Sequence, residues 1–527
     1  MLHVNQNELT TMITRTRRNT LSDLLTRTAA RVPEKQAFIY RDRLVTYEQL
    51  EHLVNQTAHG LTKKGVKQGD RIALLSKNNL DFVVVMFAVA RMGAVLIPVN
   101  YMLTATDITY ILEHAEVNSV FASDEYTPLL NEAIADADVS IEHRIMLEVD
   151  ESNEKWKTLK QIQFAENQTL FEANISDDDL AQVLYTSGTE SNPKGVMLSH
   201  KSIISEYVSC VVDGKMNEND TLIHALPFYH SAQLHVFLGP SIYLGASGII
   251  LDEATPSTIM KAIADYRANQ LFAPPTVWIA LLRHDEFDSF DLSTLEKCYY
   301  GAAIMPREIL KELAERLPNA RFWNFYGQTE VAPLATALQP EDQLRKLGSA
   351  GRATLQVETK IVDDQDDEVP RGEIGEIVHR TPHAMLGYLN DPEKTAEAFK
   401  NGWFHSGDLA TMDEEGYITI IDRKNDIINT GGVNVASREV EEVIYQMKEV
   451  AEVAVVGLND DYWIEAITAV VVLKDNQKLT DEEIIAYCHQ ELSPFKSPKA
   501  VHFLDALPKN PSGKVLKKDL RDKYNTI

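Results

Sequence analysis

Four short segments carry residue types suited to phosphate, metal and hydroxyl chemistry. Tyr185 to Gly195 reads YTSGTESNPKG, directly after the apolar stretch LAQVL. Thr186, Ser187, Gly188 and Thr189 offer hydroxyls and open backbone N–H groups to phosphate oxygens, and Lys194 adds a point charge. The segment is not a Walker loop, because Lys194 precedes Gly195 and no Ser or Thr follows the lysine. Asn324 to Glu330 reads NFYGQTE. There Gly327 admits a ligand close to the backbone, and Gln328 and Thr329 are polar. Glu330 is a carboxylate suited to Mg²⁺, and Tyr326 presents a ring face for stacking. Trp403 to Asp408, WFHSGD, ends on a carboxylate able to accept two hydroxyl hydrogen bonds. Pro508 to Lys518, PKNPSGKVLKK, crowds Lys509, Lys514, Lys517 and Lys518 in a charge run of the kind that marks solvated faces. Lys514 differs in following Pro511-Ser512-Gly513, a loop able to extend. Taken singly, each segment also reads as an ordinary turn.

A second group of residues is apolar or aromatic and could enclose a ligand. Ala225 to Gln233 (ALPFYHSAQ), Phe272 to Trp278 (FAPPTVW) and Tyr299 to Met305 show no cation or carboxylate. Such a pocket favours an alkyl tail over an amino acid, whose ammonium group needs a buried partner. His224, His230 and His235 lie close together, but no HxxxH spacing or flanking ligand set supports zinc.

These segments need a scaffold, and the patterning supplies one. Thr46 and Gln49 form a capping box, after which Leu50, Leu53, Val54, Ala58 and Leu61 recur at helical spacing. Short apolar strands such as RIALL and VLIPV alternate with helical stretches, including Pro256–Tyr266 and Pro306–Leu317. Alternation of this kind predicts βαβ units and a mostly parallel sheet. After about Gly348, short strands separated by Gly, Asp and Pro turns predict a β-rich subdomain. The last hundred or so residues predict a self-contained α+β unit: a helix over 438–447, two strands, a helix capped by Thr480 with Glu483, a strand, and a closing basic helix. The expected fold is α/β: a large N-terminal domain of layered subdomains over 1–423, its β-rich part at about 345–423, then a small mobile C-terminal domain over 424–527.

Bulk properties bound the function. The 527 residues exceed one ordinary domain, and 44% hydrophobic with 24% charged residues is ordinary for a globular chain. A formal net charge of −27 repels nucleic acid and anionic membranes, so any phosphate-bearing ligand must be held locally. Three scattered cysteines, Cys210, Cys298 and Cys488, form no CxxC pair and fit a reducing, cytoplasmic setting. The N-terminus lacks a signal-like apolar core. Residues 82–99, interrupted by Arg91, Gly93 and Pro98, read as a buried helix and strand rather than a membrane span.

The Tyr185–Gly195 loop resembles the signature loop of adenylate-forming enzymes, the superfamily of acyl-CoA synthetases, peptide-synthetase adenylation domains and firefly luciferase. The resemblance spans nearly the whole chain, with motifs in the expected order, and the wording is most similar to bacterial fatty-acid–CoA ligases. It implies a fold of the kind above, with ATP, Mg²⁺ and coenzyme A as reactants or cofactors. By the resemblance, Thr186–Thr189 and Lys194 hold the phosphates, and Tyr326, Gly327, Gln328, Thr329 and Glu330 meet adenine, α-phosphate and Mg²⁺, with Glu330 the metal ligand. Gly301, Ala302 and Ala303 line the adenine or simply pack tightly. Asp408 and Arg423 take the ribose. Lys514 bridges acid and α-phosphate, acting with Thr186 and Glu330 in catalysis. Asn425 is the hinge, and Gly431, Gly432 and Trp463 border the CoA arm. His230, Trp278 and Tyr299 belong to the acid pocket.

Four residues depart from the family pattern: Glu190 and Ser191 where Thr-Gly is usual, Asn425 where Asp or Lys is usual, and Val433 where Glu commonly follows the glycine pair. The implied activity is ATP-dependent activation of a carboxylic acid, then transfer to CoA, with no nucleic-acid partner and no stable membrane insertion; a homodimer is compatible with it. The rival readings are an adenylation enzyme loading a carrier protein and a non-catalytic nucleotide-binding homologue.

Overall fold

The computed structural model describes residues 6–163, 167–186, 193–303, 305–460, 462–474, 476–509 and 515–525, with residues 6–8, 11 and 425 described in their backbone alone. The chain divides into two compact units, Met1–Glu358 with Arg380–Ala398, and Thr359–His379 with Phe399–Ile527. This division cuts the chain differently from the 1–423 and 424–527 expected from sequence. Strand Gly387–Tyr388 pairs with Lys194–Ser199 in the large unit. Residues 420–422, in turn, are bonded to the C-terminal part: Ser437 donates to Asp422 at 2.6 Å and Arg438 to the Ile420 carbonyl at 3.0 Å.

Among its described residues, the large unit holds two mostly parallel sheets. The nine-stranded sheet runs Arg352–Ala353, Leu334–Leu338, Arg321–Gly327, Lys297–Gly301, Gln270–Phe272, Thr221–His224, Ser247–Ile250, Gln36–Tyr40, Arg43–Thr46. Its six inner strands, from Arg321–Gly327 to Gln36–Tyr40, are parallel, and antiparallel strands close both edges. The eight-stranded sheet places Gly387–Tyr388, Lys194–Ser199 and Leu180–Thr186 beside a parallel set that begins at Val95–Val99.

Local chemistry sets these elements. The Thr46–Gln49 capping box forms as read, and the helix Tyr47–Lys64 stops at Gly65, whose φ of +101° suits glycine. Helix Leu80–Met92 is buried on every side, capped by Asn79 and ended by Gly93, and strand Val95–Val99 follows. That is the pattern of a helix covered from both faces. Among the described residues no helix is long and apolar enough to cross a membrane.

One buried ion pair ties the parallel sheet together. Lys297 Nζ lies 2.7 and 2.8 Å from the two Asp220 carboxylate oxygens, with Asn269 donating to Asp220 at 3.1 Å. The Asp220 side chain is 1% exposed. Removing the lysine strands a buried carboxylate, so Lys297→Met is expected to destabilise the large unit by about 3–5 kcal/mol. Urea unfolding reads this, and the double variant Lys297→Met with Asp220→Leu should recover most of the loss; an unchanged midpoint for the single variant would refute it.

The smaller unit contains two five-stranded sheets among its described residues. In the first, Trp403–Met412 pairs antiparallel with Gly375–Arg380 and with Ile418–Arg423. In the second, Val450–Asp460 and Ile464–Leu473 form a long hairpin, with Ala500–Phe503 parallel to its second strand. The helices are Ser437–Ile444, Asp481–Glu491 and Lys517–Asn525, the second capped by Thr480 and Glu483 as expected.

Candidate active site

In the large unit the site is built where strands end. Strand Leu180–Thr186 pairs antiparallel with Lys194–Ser199, and Thr186 lies opposite Lys194. Ser187, Gly188, Thr189, Glu190 and Ser191, which sequence assigns to the phosphate loop, lie outside the described residues. Gly195 is closely surrounded: a Cβ there would come within 3.0 Å of Val183 and 3.2 Å of Leu389.

The Asn324–Glu330 segment leaves strand Arg321–Gly327 through a turn that only glycine permits, since a Cβ on Gly327 would lie 1.7 Å from the Pro333 carbonyl oxygen. A short helical turn follows over Thr329–Val331. Three contacts hold that turn. The Thr329 and Ser231 hydroxyls share a hydrogen bond of 3.0 Å. Met385 N–H donates to the Glu330 carbonyl at 2.8 Å. His383 Nδ1–H donates to the Val331 carbonyl at 2.6 Å. Burial pushes His383 down to about 4, so the imidazole is neutral and keeps that donor at ordinary pH.

The Glu330 carboxylate accepts a 3.0 Å hydrogen bond from Tyr388, and the Lys194 ammonium stands 5.1 Å from the centre of the same tyrosine ring. Burial, and then the neighbouring carboxylate, push the Tyr388 hydroxyl well above its usual range, so it remains a donor. Tyr388 thus joins the lysine of one sheet to the glutamate beyond the other, and Thr329 extends the line to Ser231. Sequence reading missed Tyr388, Ser231 and His383. GYLND looks like an ordinary turn, and only tertiary structure brings residue 388 to residue 330.

Tyr326, Gln328, Thr329 and Glu330 are half-buried, open enough to meet a ligand. Gly301 ends its strand opposite Phe325, the residue before Tyr326 on the neighbouring strand. Ala302 and Ala303 are exposed, with Ala302 at φ +65°. His230 is half-buried at the start of the segment leading to Ser231, and its Nδ1 accepts from Ala232 N–H at 3.2 Å.

The two aromatic residues assigned to the acid pocket part company. Tyr299 is buried with Phe237, Phe272, Trp323 and Phe325. Trp278 is buried in another cluster, with Cys298, Tyr300 and Phe322, on the opposite face of strand Lys297–Gly301. Its indole N–H donates to the Tyr299 carbonyl at 3.1 Å. Alternation along the strand separates them, which sequence spacing alone does not reveal. His224 pairs with Gln233, and His235 with Gln182 and Tyr207, all inside the core.

In the smaller unit, Asp408 and Arg423 face each other across paired strands, with Arg423 Nε 3.6 Å from the Asp408 carboxylate. Asn425 sits in the single helical turn Lys424–Asp426, and each flank of that turn is ion-paired. Lys424 lies 3.1 Å from Asp364 and 3.5 Å from Glu376, while Arg521 lies 2.5 Å from Asp426. Gly431 and Gly432, at φ +63° and +84°, form the tight turn between strands Ile427–Thr430 and Val433–Ala436. Gly431 N–H donates to the Trp463 carbonyl at 2.5 Å, and the Trp463 ring carries Lys499 Nζ at 4.6 Å from its centre. Val433 is exposed beside them. Lys514 lies outside the described residues; Lys509 and Val515 pair in an antiparallel bridge on either side of it.

Residues 25–389 match the model of the AMP-binding enzyme family, and residues 439–514 match that of the AMP-binding enzyme C-terminal domain. The chain belongs to the AMP-binding enzyme family. Among relatives of this family member, the long-chain-fatty-acid–CoA ligase FadD13 of Mycobacterium tuberculosis is 34% identical over 94% of this chain and 96% of its own. The structure of the anthranilate CoA ligase AuaEII in complex with anthranoyl-AMP matches with a TM-score of 0.89 at 25% identity, covering 97% of this chain and 98% of that one. ATP-bound MatB from Rhodopseudomonas palustris matches with a TM-score of 0.86 at 29% identity, covering 96% and 99%. The large N-terminal and small C-terminal parts of this AMP-binding enzyme follow the architecture of those adenylate-forming enzymes.

Within that family, Tyr388 can be tested directly. Tyr388→Phe removes the hydroxyl that orients Glu330 but keeps the ring under Lys194. It is expected to lower kcat/KM for ATP about tenfold, the kinetic equivalent of one hydrogen bond to a charged group, roughly 1.5 kcal/mol. Steady-state kinetics with varied ATP checks this; wild-type values would show that the hydroxyl does not position the carboxylate.

Proposed function

We propose that the protein is an acid–thiol ligase acting in two steps. A carboxylate oxygen attacks the α-phosphorus of ATP, forming acyl-AMP and releasing pyrophosphate. The CoA thiol, losing its proton, then attacks the acyl carbon and AMP leaves. The observation that supports this most is the line Lys194–Tyr388–Glu330–Thr329–Ser231, which sets a cation, a carboxylate and three hydroxyls beside one another at the ends of two sheets.

The first step brings two anions together, so positioned cations and donors must offset their repulsion. Lys194 and Thr186 face each other at the mouth of the phosphate loop and bind the polyphosphate. The Thr329 hydroxyl, oriented by Ser231, donates toward the α-phosphate. Tyr326 stacks on the adenine, with Gly301–Ala303 as its wall. Asp408 accepts from the ribose hydroxyls, and Arg423 both orients that carboxylate and meets the ribose. Lys514 bridges acid and α-phosphate.

The residues present fit Mg²⁺: the half-buried Glu330 carboxylate is a hard oxygen donor held in place by Tyr388, and this ion favours one or two carboxylates completed by substrate phosphates. Bound there, it would neutralise phosphate charge.

The second step uses the C-terminal residues. Gly431, Gly432 and Trp463 border the CoA arm, and the domain over 424–527 turns about Asn425 between steps. Lys424 and Asp426, each in an ion pair, hold the residues on either side of that hinge. The favoured acid is a fatty acid, because the segments around His230 and Tyr299 are apolar. Buried, unpaired Cys210, Cys298 and Cys488 support a reducing, cytoplasmic location.

The test is AMP release from ATP, Mg²⁺, CoA and a panel of carboxylic acids. Release that requires both an acid and CoA supports the ligase. Release that needs a carrier protein in place of CoA would make this a loading enzyme, and none with any acid would make it a nucleotide sensor.

A further inference from the structure

We propose that Glu206 is a positioning residue for the nucleotide site: its buried carboxyl fixes the closing end of the turn that carries Thr329 and Glu330. This rests on the ligase reading, in which those two residues meet the α-phosphate and Mg²⁺, and names a residue through which their position is set.

Glutamate is almost never fully buried unless something holds it there. Glu206 is 0% exposed in the middle of helix His200–Asp213. Spacings of four, three and four residues place Ser202, Glu206, Ser209 and Asp213 on one face of that helix. Each of the four bonds the backbone of another segment. Ser202 donates to the Ala384 carbonyl at 2.9 Å. Glu206 Oε1 accepts from Leu334 N–H at 2.9 Å. Ser209 accepts from Gln356 N–H at 3.2 Å, and Asp213 from Leu355 N–H at 2.9 Å.

The first two of these bonds bear on the site. Ala384 lies between His383 and Met385, which bond the Val331 and Glu330 carbonyls. Leu334 opposes Gly327 across the base of the turn, beside an irregularity in the strand register. Within the turn, Gln328 N–H donates to the Pro333 carbonyl at 3.0 Å and Ala332 N–H to the Thr329 carbonyl at 3.1 Å. The turn is thus tied internally, and Glu206 pins its closing end. Leu334 is itself buried, so without this acceptor its N–H is left unpaired unless the backbone shifts. Tyr207, the next residue of the helix, shares a 3.1 Å hydrogen bond with His235, on the helical segment that follows Ser231. Both sides of the Ser231–Thr329 hydroxyl pair are therefore referenced to one turn of one helix. Burial pushes the Glu206 carboxyl well above the usual carboxylate range, and the Leu334 N–H and the Cys210 thiol oppose it only in part. The group is protonated at ordinary pH and accepts as a neutral acid, so an amide of the same length can replace it.

Full-length variants test this by calorimetric titration with ATP and Mg²⁺, and by AMP release with varied ATP and varied CoA. Glu206→Leu removes the acceptor; it should weaken ATP binding and lower kcat/KM for ATP by about tenfold, with KM for CoA within about twofold of wild type. Glu206→Gln restores the acceptor and should return ATP binding and kcat/KM to within about twofold of wild type. Ser209→Ala, on the same helix face but bonded to Gln356, should lower the melting temperature and leave ATP binding unchanged. If Glu206→Leu does not fold, Glu206→Asp, whose carboxyl is withdrawn by one methylene, takes its place with the same expectation. Failure of both to fold would make the group a folding element and overturn the assignment. Wild-type ATP binding in a folded Glu206→Leu or Glu206→Asp, or an equal loss in Glu206→Gln or Ser209→Ala, also overturns it. A wild type that binds ATP but releases no AMP with any acid would overturn the ligase reading instead, and the calorimetric comparison would still read Glu206.

Discussion

Lys514→Ala is expected to slow acyl-adenylate formation by roughly 10²–10³-fold while leaving thioester formation from supplied acyl-AMP within a few-fold of wild type. The reason is electrostatic. In the first step an anionic carboxylate approaches an anionic phosphate, and a lysine bridging the two stabilises the charge that gathers between them. In the second step a neutral or thiolate nucleophile attacks a carbonyl, and that bridging charge has no equivalent task. The sequence around Lys514 suits the role, because Pro, Ser and Gly at 511–513 are residue types that favour extended turns. The described backbone on either side is tied down, with the Lys509–Val515 bridge and Leu516 N–H donating to the Pro508 carbonyl at 2.8 Å. Lys509 is itself paired with Glu452 at 2.7 Å, and Lys517 with Glu441 at 2.8 Å, so those neighbours are engaged within their own unit. ATP–pyrophosphate exchange measures the first step and CoA consumption with acyl-AMP the second. Wild-type exchange in the variant would remove Lys514 from the mechanism.

Glu330→Gln should have the next largest effect, a fall of about 10² in kcat with a raised Mg²⁺ requirement. The substitution preserves size and still accepts from Tyr388, so the local turn, held through backbone by Met385 and His383, should keep its shape. What disappears is the negative charge and a hard oxygen donor of the kind Mg²⁺ takes. Initial rates over a series of Mg²⁺ concentrations separate the two contributions. A variant that reaches wild-type kcat at high Mg²⁺ has lost affinity for the ion alone. One that matches wild type at every concentration would show that Glu330 is not the ligand. Tyr388→Phe should show a smaller loss in the same direction, because it disturbs the orientation of the carboxylate and not its charge.

How much of this was legible in the sequence depends on the range of the interactions involved. Capping by Thr46 with Gln49 and by Thr480 with Glu483, the stop at Gly65 and the largely apolar Leu80–Met92 helix all follow from residues within a few positions of one another. Backbone hydrogen bonding and side-chain periodicity act at that range, so sequence carries them. The resemblance to adenylate-forming enzymes was likewise readable from the order of the motifs, and the family match over 25–389 and 439–514 agrees with that family.

Tertiary structure decided the rest. It brought Tyr388 to Glu330 and Lys194, and Ser231 to Thr329, contacts that span up to 194 positions of chain. It also sent Tyr299 and Trp278 to opposite faces of one sheet and stacked Phe237 on Phe272. The residue types that perform the chemistry are local properties of the chain. Which of them meet, and how much room they leave, is settled by strand order and by which face each residue presents.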